Sequence, residues 1–134
     1  MSLTQQISGL SHIGIRVHSL EDARAFYERL GFNFLIGPIG PEPVAIMSHP
    51  SGVEINFILN AATTSTENVL MDIAEKHAGY THIALSVQNI SQVQIALEKA
   101  GIPITGGPIT FPGGSVSIFV RDPDRNVIEF NQRA

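Results

Sequence analysis

Residues 9–32 read GLSHIGIRVHSLEDARAFYERLGF, and residues 79–102 read GYTHIALSVQNISQVQIALEKAGI. The second stretch matches the first at a constant offset of 70 positions without a gap, so that His12 aligns with His82. Self-similarity at a fixed offset is typical of a duplicated supersecondary unit. We therefore interpret the chain as two copies of one module, each of which carries a histidine at the same point.

Each copy predicts a short strand that leads into a helix. Aliphatic residues alternate with polar or small ones around His12 and His82, and this period of two places both histidines opposite the aliphatic side chains. Ser19 and Asn89 then take the N-cap position before an apolar stripe at helical spacing, which a glycine ends in both copies. Helices that begin after these caps would cover the aliphatic faces and leave the histidine faces free.

Three strand-like stretches follow each helix, separated by turns rich in proline and glycine. They lie at about 32–37, 44–48 and 53–60 in the first copy, and at about 102–106, 115–121 and 126–132 in the second. Each module therefore reads β-α-β-β-β, and the fold class is α+β.

The length of 134 residues suits one domain, 1–134, with its own core. We divide it into module one at about 8–60, a connector at 61–78 and module two at about 79–132. Apolar residues in the connector predict a short helix from Glu67 to His77.

Composition excludes several classes of protein. A net charge of -4 without any lysine or arginine run argues against nucleic acid or an acidic membrane surface as a partner. There is no cysteine, so any metal must be bound by nitrogen and oxygen ligands. Because we find neither a signal peptide nor an apolar run of about 18 residues, we expect a cytoplasmic protein that does not span a membrane.

A glutamate lies within the last strand of each copy, Glu54 in GVEINFIL and Glu129 in NVIEFNQ. A carboxylate inside an aliphatic strand is costly to bury unless it meets a cation or a strong hydrogen-bond partner. Each copy thus offers one histidine and one glutamate, and His12, Glu54, His82 and Glu129 form a predicted metal-binding set. Two carboxylates and two neutral imidazoles balance a divalent ion, and such ligands suit Zn, Ni, Fe, Co or Mn.

Each of these residues also has a purely structural interpretation. A histidine at the end of a strand is often satisfied by a backbone group, and a strand glutamate often lies on a solvated face. The recurrence of the same pair in both copies favours the metal site. Arg16, on the His12 face, is either a clamp for a substrate carboxylate or the partner of a nearby glutamate.

The motifs HIGIRV…LEDARAFYERLGF, THIALSV and FVRDPDRNVIEF resemble the vicinal oxygen chelate superfamily, which includes glyoxalase I, fosfomycin-resistance proteins and extradiol dioxygenases. The resemblance covers about residues 9–132. It implies tandem β-α-β-β-β modules whose curved mixed sheets surround a central cleft. It does not by itself decide the activity, because one fold serves several chemistries.

Within that superfamily the four-ligand pattern is most similar to glyoxalase I, in which a histidine and a glutamate from each module bind Zn or Ni. The resemblance implies a metal-dependent lyase or isomerase that acts on the adduct of a 2-oxoaldehyde and a thiol, or on a similar vicinal-oxygen substrate. A glutamate would move the substrate proton, with Glu129 as the first choice for this base and Glu54 as the second.

Glyoxalase I enzymes that use glutathione place an arginine four residues after the first histidine and an asparagine four residues after the first glutamate. Arg16 meets the first requirement, whereas Ile58 stands at the second position. Asn56 and Asn60 flank Ile58 on the same strand face and are candidate substitutes for substrate binding. Glutathione or another thiol as the co-substrate therefore remains open.

Three alternatives to the lyase remain. A ring-cleaving dioxygenase would use Fe(II) with two histidines and one carboxylate, and an acyl-thioester epimerase often has glutamine where Glu54 stands. A non-catalytic drug-binding protein, like the bleomycin-sequestering members, would lack the ligand set. Since one module cannot surround a metal, two must pair, either within a chain or between chains, and we expect a C2 homodimer that binds a small-molecule substrate.

Overall fold

A computed structural model describes residues 1–62 and 67–134 of the chain. These residues form two compact units, Met1–Ala61 and Ala62–Ala134. Each unit contains one four-stranded sheet and a helix of 10 residues. The predicted α+β class and the duplicated β-α-β-β-β module are therefore confirmed.

Apart from the short first helix, which was not predicted, the helices and strands follow the predicted order in both units. The first unit contains α1 (Leu3–Gln6), β1 (Ile13–Arg16), α2 (Leu20–Arg29), β2 (Asn33–Ile39), β3 (Val44–Ser48) and β4 (Glu54–Ile58). The second contains β5 (His82–Ser86), α3 (Ile90–Lys99), β6 (Ile104–Thr110), β7 (Val116–Arg121) and β8 (Val127–Gln132).

The two sheets share one topology. Their strand orders are β1-β4-β3-β2 and β5-β8-β7-β6. In each sheet the first strand runs parallel to the last one, and the remaining neighbours are antiparallel. The last strand of each unit is therefore an inner strand and lies beside the strand that begins at the histidine.

Both long helices begin and end at the predicted residues. The Ser19 side chain accepts a hydrogen bond from the backbone N–H of Asp22 at 3.2 Å, and Asn89 accepts one from Gln92 at 3.1 Å. These bonds satisfy backbone donors that a first helical turn leaves unpaired. None of the helices in the described ranges combines the length and the apolar character that crossing a bilayer requires.

Aromatic packing closes the helix-covered face of the first sheet. Tyr27 of α2 is fully buried, with its ring centroid 5.0 Å from that of Phe26, 5.9 Å from that of Phe32 and 4.9 Å from that of Phe57 in β4. Aromatic pairs of this kind stabilise a fold by about 0.5–1.5 kcal/mol each beyond the area they bury. The core of the first unit is thus formed between α2 and the sheet.

Burial alternates along the inner strands, as the period of two predicted. In β4, Ile55 and Phe57 are fully buried, whereas Glu54 and Asn56 are half-buried on the opposite face. In the second unit the fully buried hydrophobic residues are Ile118, Val120 and Ile128. Each sheet therefore has one face closed by a helix and one face that carries polar side chains.

A Gly-Pro pair interrupts β2 and β6 at matching positions. Gly37–Pro38 and Gly107–Pro108 both have cis peptide bonds and positive glycine φ angles, 130° and 80°. A Cβ atom on Gly37 would lie 2.5 Å from the Cα of Ala45, and one on Gly107 would lie 2.4 Å from the carbonyl oxygen of Ser117. Only glycine allows this approach, and both strands continue past the predicted breaks at 37 and 106.

The predicted connector helix from Glu67 to His77 is absent, although Asn68 and Asp72 begin one turn with a backbone hydrogen bond of 2.7 Å. Lys76 donates hydrogen bonds from its ammonium group to the carbonyl oxygens of Ile73, at 2.6 Å, and of Met71, at 3.3 Å. These carbonyls would be acceptors in a helix, so the side chain replaces the helical bonds. Residues 63–66 of the predicted connector lie outside the described residues.

Candidate metal and substrate site

The polar face of the second sheet brings together two of the predicted ligands. The Nε2 atom of His82 lies 3.1 Å from Oε1 of Glu129. The histidine side chain is 38% exposed and the glutamate side chain only 13%, so the carboxylate is largely removed from water while the imidazole stays accessible. His82 is the first residue of β5, and Glu129 lies in the neighbouring strand β8, where it pairs with Ala84.

Two further side chains support the Glu129 carboxylate. Ser117, which is fully buried in β7, donates a hydrogen bond from its hydroxyl group to Oε2 of Glu129 at 2.6 Å. Asn131 donates from Nδ2 to the same hydroxyl oxygen at 2.8 Å. One carboxylate oxygen is thus fixed by the protein, and the other faces His82. Such support holds a functional group in one orientation.

A hydroxyl group precedes the histidine in both units and contacts its ring. Thr81 Oγ1 lies 2.8 Å from Nδ1 of His82, and Ser11 Oγ lies 2.9 Å from Nδ1 of His12. When the hydroxyl accepts a hydrogen bond from Nδ1–H, the lone pair is on Nε2, which is the arrangement that a metal-ligating imidazole needs. The sequence contains these hydroxyl groups as Ser-His and Thr-His pairs at the repeat offset, but the prediction of ligands did not include them.

The strand register places Asn56, not Glu54, at the counterpart of Glu129. Gly14 pairs with Asn56 in the first sheet, and Ala84, which aligns with Gly14 at the offset of 70, pairs with Glu129 in the second. The prediction that Glu54 and Glu129 occupy equivalent places is therefore wrong.

The longer hairpin of the second unit causes this difference. Between the matching cis Gly-Pro pairs and the last strands, β2 and β3 are joined by residues 40–43, whereas β6 and β7 are joined by residues 111–115. Extra residues in the second hairpin shift every later position relative to the offset of 70. Glu54 and Glu129 therefore stand on different rungs of the two ladders, although each lies in the last strand of its unit.

Glu54 lies two residues before Asn56, at the start of β4. It pairs with Ser48 across the antiparallel ladder and precedes the paired residues Ile13 and Ile55. Its side chain shares the polar face with Asn56, as predicted. Within the described residues, however, no ion pair joins Glu54 to His12, in contrast to His82 and Glu129.

Asn56 has a buried oxygen without a partner. Its Oδ1 atom is inaccessible to solvent and accepts no hydrogen bond from the described residues. The residues that correspond to Ser117 and Asn131 are Val44 and Ile58, which pair with each other in the first sheet as Ser117 and Asn131 do in the second. The first unit thus lacks the hydroxyl and amide donors that fix Glu129.

Arg16, Asn60 and Glu42 form a separate polar cluster at the edge of the first unit. Arg16 Nε donates to Oδ1 of Asn60 at 2.9 Å. One oxygen of Glu42, Oε1, lies 3.4 Å from Nη2 of Arg16 and accepts from Nδ2 of Asn60 at 3.3 Å. A guanidinium and an amide therefore both contact one carboxylate oxygen. Arg16 is thus the partner of a nearby glutamate, and the same geometry is one that can bind a substrate carboxylate.

The donors fit a divalent ion in chemical type, although only pairs of them are brought together. In the described part of the chain, no three His, Asp or Glu side chains lie close enough to one another to bind a metal. His82 and Glu129 supply an imidazole and a carboxylate oxygen, and Asn56 supplies an unpaired amide oxygen. Imidazole and oxygen donors are the ligands that Zn, Ni, Fe, Co and Mn accept.

The model of the Glyoxalase/Bleomycin resistance protein/Dioxygenase superfamily matches residues 9–130. The chain belongs to this superfamily. The match spans both copies of the module. No curated protein that was compared matches the sequence significantly.

Solved structures of the superfamily agree with this fold. A glyoxalase family protein from Enterococcus faecalis is 22% identical, with a TM-score of 0.78 over 94% of this chain and 98% of that one. A glyoxylase/bleomycin resistance protein/dioxygenase domain from Frankia sp. is 22% identical, with a TM-score of 0.75 over 96% and 93%. A lactoylglutathione lyase from Agrobacterium tumefaciens is 17% identical, with a TM-score of 0.69 over 94% of each chain. At these identities the similarity shows the fold alone.

Proposed function

We propose that this protein is a metal-dependent lyase or isomerase of the glyoxalase I type. Its substrate would be the adduct of a 2-oxoaldehyde and a thiol, or another small molecule with two vicinal oxygens. The observation that carries the proposal is the 3.1 Å pair of His82 and Glu129, in which a shielded carboxylate adjoins an accessible imidazole. The similarity to a lactoylglutathione lyase supports it at the level of the fold.

A divalent ion would be bound by His12, His82, Glu129 and one oxygen ligand from β4. Zn or Ni are the first choices, and Fe, Co or Mn are the others. Such an ion would polarise two vicinal substrate oxygens and stabilise the negative charge that develops on them when a proton is removed. The hydroxyl groups that contact the Nδ1 atoms of both histidines can accept a hydrogen bond from Nδ1–H, and this tautomer would leave Nε2 to bind the ion.

Glu129 would act as the base. Its Oε1 atom, when it is not bound to the ion, would take the proton from the substrate carbon that carries oxygen and sulfur and return it to the neighbouring carbon. Ser117 holds the second oxygen at 2.6 Å, so the carboxylate keeps its orientation while the first oxygen exchanges the proton. A carboxylate that is only 13% exposed also excludes water from the step.

The Arg16 cluster would bind the carboxylate of the thiol co-substrate. Asn56 is the counterpart of Glu129 in β4. Counted from Asn56 instead of Glu54, the asparagine that glutathione-using relatives place four residues later corresponds to Asn60 rather than to Ile58. Arg16 Nε lies 2.9 Å from Oδ1 of Asn60, and both side chains contact Oε1 of Glu42. This arrangement supports glutathione, or another thiol with a carboxylate, as the co-substrate once Glu42 moves away.

We further propose that the protein is a C2 homodimer. Each unit provides one imidazole and one candidate oxygen ligand, so a complete site needs two units. Leu10 and Tyr80, which align in the repeat two positions before each histidine, are 82% and 98% exposed. Large exposed apolar side chains at such positions favour an interface. Size-exclusion chromatography with light scattering tests this: a strict monomer at micromolar concentration contradicts the dimer.

A second candidate function follows from the register. His12, His82 and Glu129 alone are two histidines and one carboxylate, the set that Fe(II) dioxygenases use. The same register makes the amide of Asn56 the counterpart of Glu129 in the first unit, and metal-dependent epimerases, which often have a glutamine at the first-unit ligand position, resemble this chain in that respect. Oxygen uptake with a catechol and Fe(II) would favour the dioxygenase, and racemisation of an acyl thioester would favour the epimerase.

The decisive experiment is metal reconstitution followed by an assay with methylglyoxal. The purified protein is loaded in parallel with Zn, Ni, Co, Mn or Fe(II) and assayed with glutathione, with other thiols and without a thiol. Turnover that requires both metal and thiol supports the lyase. Failure to bind any of these metals contradicts it and favours a non-catalytic drug-binding protein.

A further inference from the structure

We propose that a groove on the helix side of the first sheet binds a small carboxylate with an apolar body, and that Arg24 binds the carboxylate group. The groove has a volume of about 430 Å³ and lies between the second half of α2 and the start of β2. Volumes of about 300–1,000 Å³ are usual for the sites of small molecules. The residues that line the groove all belong to the first unit: Arg24, Glu28, Gly31, Phe32, Asn33 and Phe34.

The groove lies on the face of the sheet opposite to the predicted metal ligands. Phe34 pairs with Met47 across one ladder, and Met47 pairs with Ile55 across the next. Met47 and Ile55 are fully buried on the face that α2 covers. Directly paired residues point to the same face, so Phe34 belongs to the helix side, whereas Asn56 belongs to the other. The groove is therefore a separate site, and binding there does not depend on the proposed metal.

The guanidinium group of Arg24 is held in place by two neighbours. Its Nε donates a hydrogen bond to Oε1 of Glu28 at 2.9 Å, and its central carbon lies 4.2 Å from the centroid of the Phe34 ring. A cation over an aromatic face is attracted by the electrons of the ring. To no described residue does either terminal amino group of Arg24, Nη1 or Nη2, donate a hydrogen bond. Two oriented donors are thus left for a ligand, and such a pair binds a carboxylate through two parallel hydrogen bonds.

The other lining residues favour a single negative charge on an apolar body. Glu28 offsets the charge of Arg24, so the groove gives a doubly charged phosphate little extra attraction, while taking a dianion out of water costs more. The rings of Phe32 and Phe34 supply apolar surface beside the guanidinium. An aromatic or aliphatic monocarboxylate meets both conditions.

The second unit shows that the fold does not require these side chains. At the repeat offset of 70 the glutamate is kept as Glu98. The corresponding helix and strand have the same lengths in both units, 10 and 7 residues. The guanidinium and the two aromatic rings, however, are replaced there by Gln94, Ile102 and Ile104. Because the same elements form without them, the guanidinium and the rings of the first unit are explained better by binding than by folding.

A titration of the ¹⁵N-labelled full-length protein with sodium benzoate tests the proposal. Benzoate carries one carboxylate on an aromatic ring, and the backbone amide signals of residues 31–34 report binding in the groove. R24Q and F34I introduce the residue types of the second unit, and R24K keeps the charge without the two parallel donors. R29Q is the matched control, because it removes the same charge at an exposed position of the same helix. Benzyl alcohol and inorganic phosphate supply the ring and the charge separately.

We expect saturable shifts of these amides in the wild type and in R29Q. R24Q should weaken benzoate binding by about tenfold, near the lower end of what hydrogen bonds to a charged group contribute, since the Arg24 side chain is 42% exposed. R24K should not restore binding, because an ammonium group does not form the paired bonds of a guanidinium. F34I should weaken it by about two- to fivefold, because the ring that orients Arg24 is lost. Benzyl alcohol and phosphate should each bind more weakly than benzoate.

Three outcomes overturn the proposal. The first is the lack of any saturable shift at residues 31–34 with benzoate, including the case in which shifts appear only around Arg16. The second is a variant R24Q or R24K that binds benzoate as tightly as the wild type does. The third is tighter binding of phosphate than of benzoate. The remaining amide signals of R24Q should stay at their wild-type positions, which shows that a loss of binding in this variant does not come from unfolding.

Discussion

Asn56 and Glu129 stand on the same rung of the two repeated ladders, yet only Glu129 has hydrogen-bond partners for its side-chain oxygens. The duplicated fold thus presents two equivalent positions that differ in the side chain they carry and in its hydrogen bonds. In the second unit a carboxylate is oriented by Ser117 and adjoins His82. In the first unit an amide oxygen is buried and unpaired.

Replacement of Glu129 by Gln should abolish turnover while metal binding persists. The amide keeps an oxygen that can bind the ion but cannot accept the substrate proton. We expect a loss of about 10²–10⁴-fold in kcat, which is the usual contribution of a general base. The assay uses methylglyoxal and glutathione with protein of measured metal content. Wild-type turnover in E129Q at full metal occupancy would rule out Glu129 as the base.

Replacement of Ser117 by Ala should destabilise the second unit. The change removes the hydroxyl group that donates to Glu129 at 2.6 Å and accepts from Asn131 at 2.8 Å. A buried hydrogen bond to a charged group contributes about 1.5–3 kcal/mol, so urea denaturation should show a loss of this order. Ser86→Ala on the exposed end of β5 is the matched control and should leave the unfolding free energy nearly unchanged.

Replacement of Asp72 by Asn should destabilise the protein at neutral pH and matter less in acid. Arg125 and Arg121 donate to the Asp72 carboxylate at 3.0 and 2.9 Å and hold its pKa well below its usual range. Because the pKa is lowered in the folded state, the ionised group stabilises the fold above the unfolded pKa of about 4, and this stabilisation is lost as the pH falls below that value. Urea denaturation of both proteins from pH 7 downward should show the difference shrinking in acid. A difference that grows in acid would contradict the assignment.

Replacement of Glu42 by Gln should tighten the binding of a thiol that carries a carboxylate. The change removes the internal carboxylate that occupies Arg16 and Asn60. Exposed ion pairs of this kind contribute about 0.4–1 kcal/mol, so KM for glutathione should fall by a factor of about two to five. Glu28→Gln, which breaks a similar exposed pair with Arg24, is the control. An unchanged KM in E42Q, or an equal change in E28Q, argues against the Arg16 cluster as the thiol site.

Metal should raise the melting temperature of the wild type. A ligand that binds only the folded state stabilises it by about 2.7 kcal/mol at one hundred times its Kd. Differential scanning fluorimetry with and without Zn²⁺ or Ni²⁺ measures the shift, and EDTA should reverse it. His82→Ala should lose most of the shift, because its imidazole is a proposed ligand. A shift that survives in H82A indicates binding elsewhere on the chain.

Repeat similarity and local signals were sufficient to predict the elements of both units. The caps at Ser19 and Asn89 and the alternation along the strands depend on neighbouring residues, so the sequence contains them directly. The prediction of a connector helix failed because long-range contacts override a weak apolar pattern. Arg121 and Arg125 bind the Asp72 carboxylate, and the Lys76 ammonium group binds a carbonyl oxygen that would accept a backbone hydrogen bond in a helix. No pattern within 67–77 contains that information.

The sequence by itself determined the duplicated module, the two histidines and their shared face, because these follow from an ungapped repeat and a period of two. Only the tertiary structure decided which residue of β4 is the counterpart of Glu129 in the repeated sheet. Strand register is set by hairpin length and by pairing between distant residues, and a longer hairpin in the second unit moved the match from Glu54 to Asn56. The support of Glu129 by Ser117 is likewise a contact across the sheet, which residues adjacent in sequence do not specify.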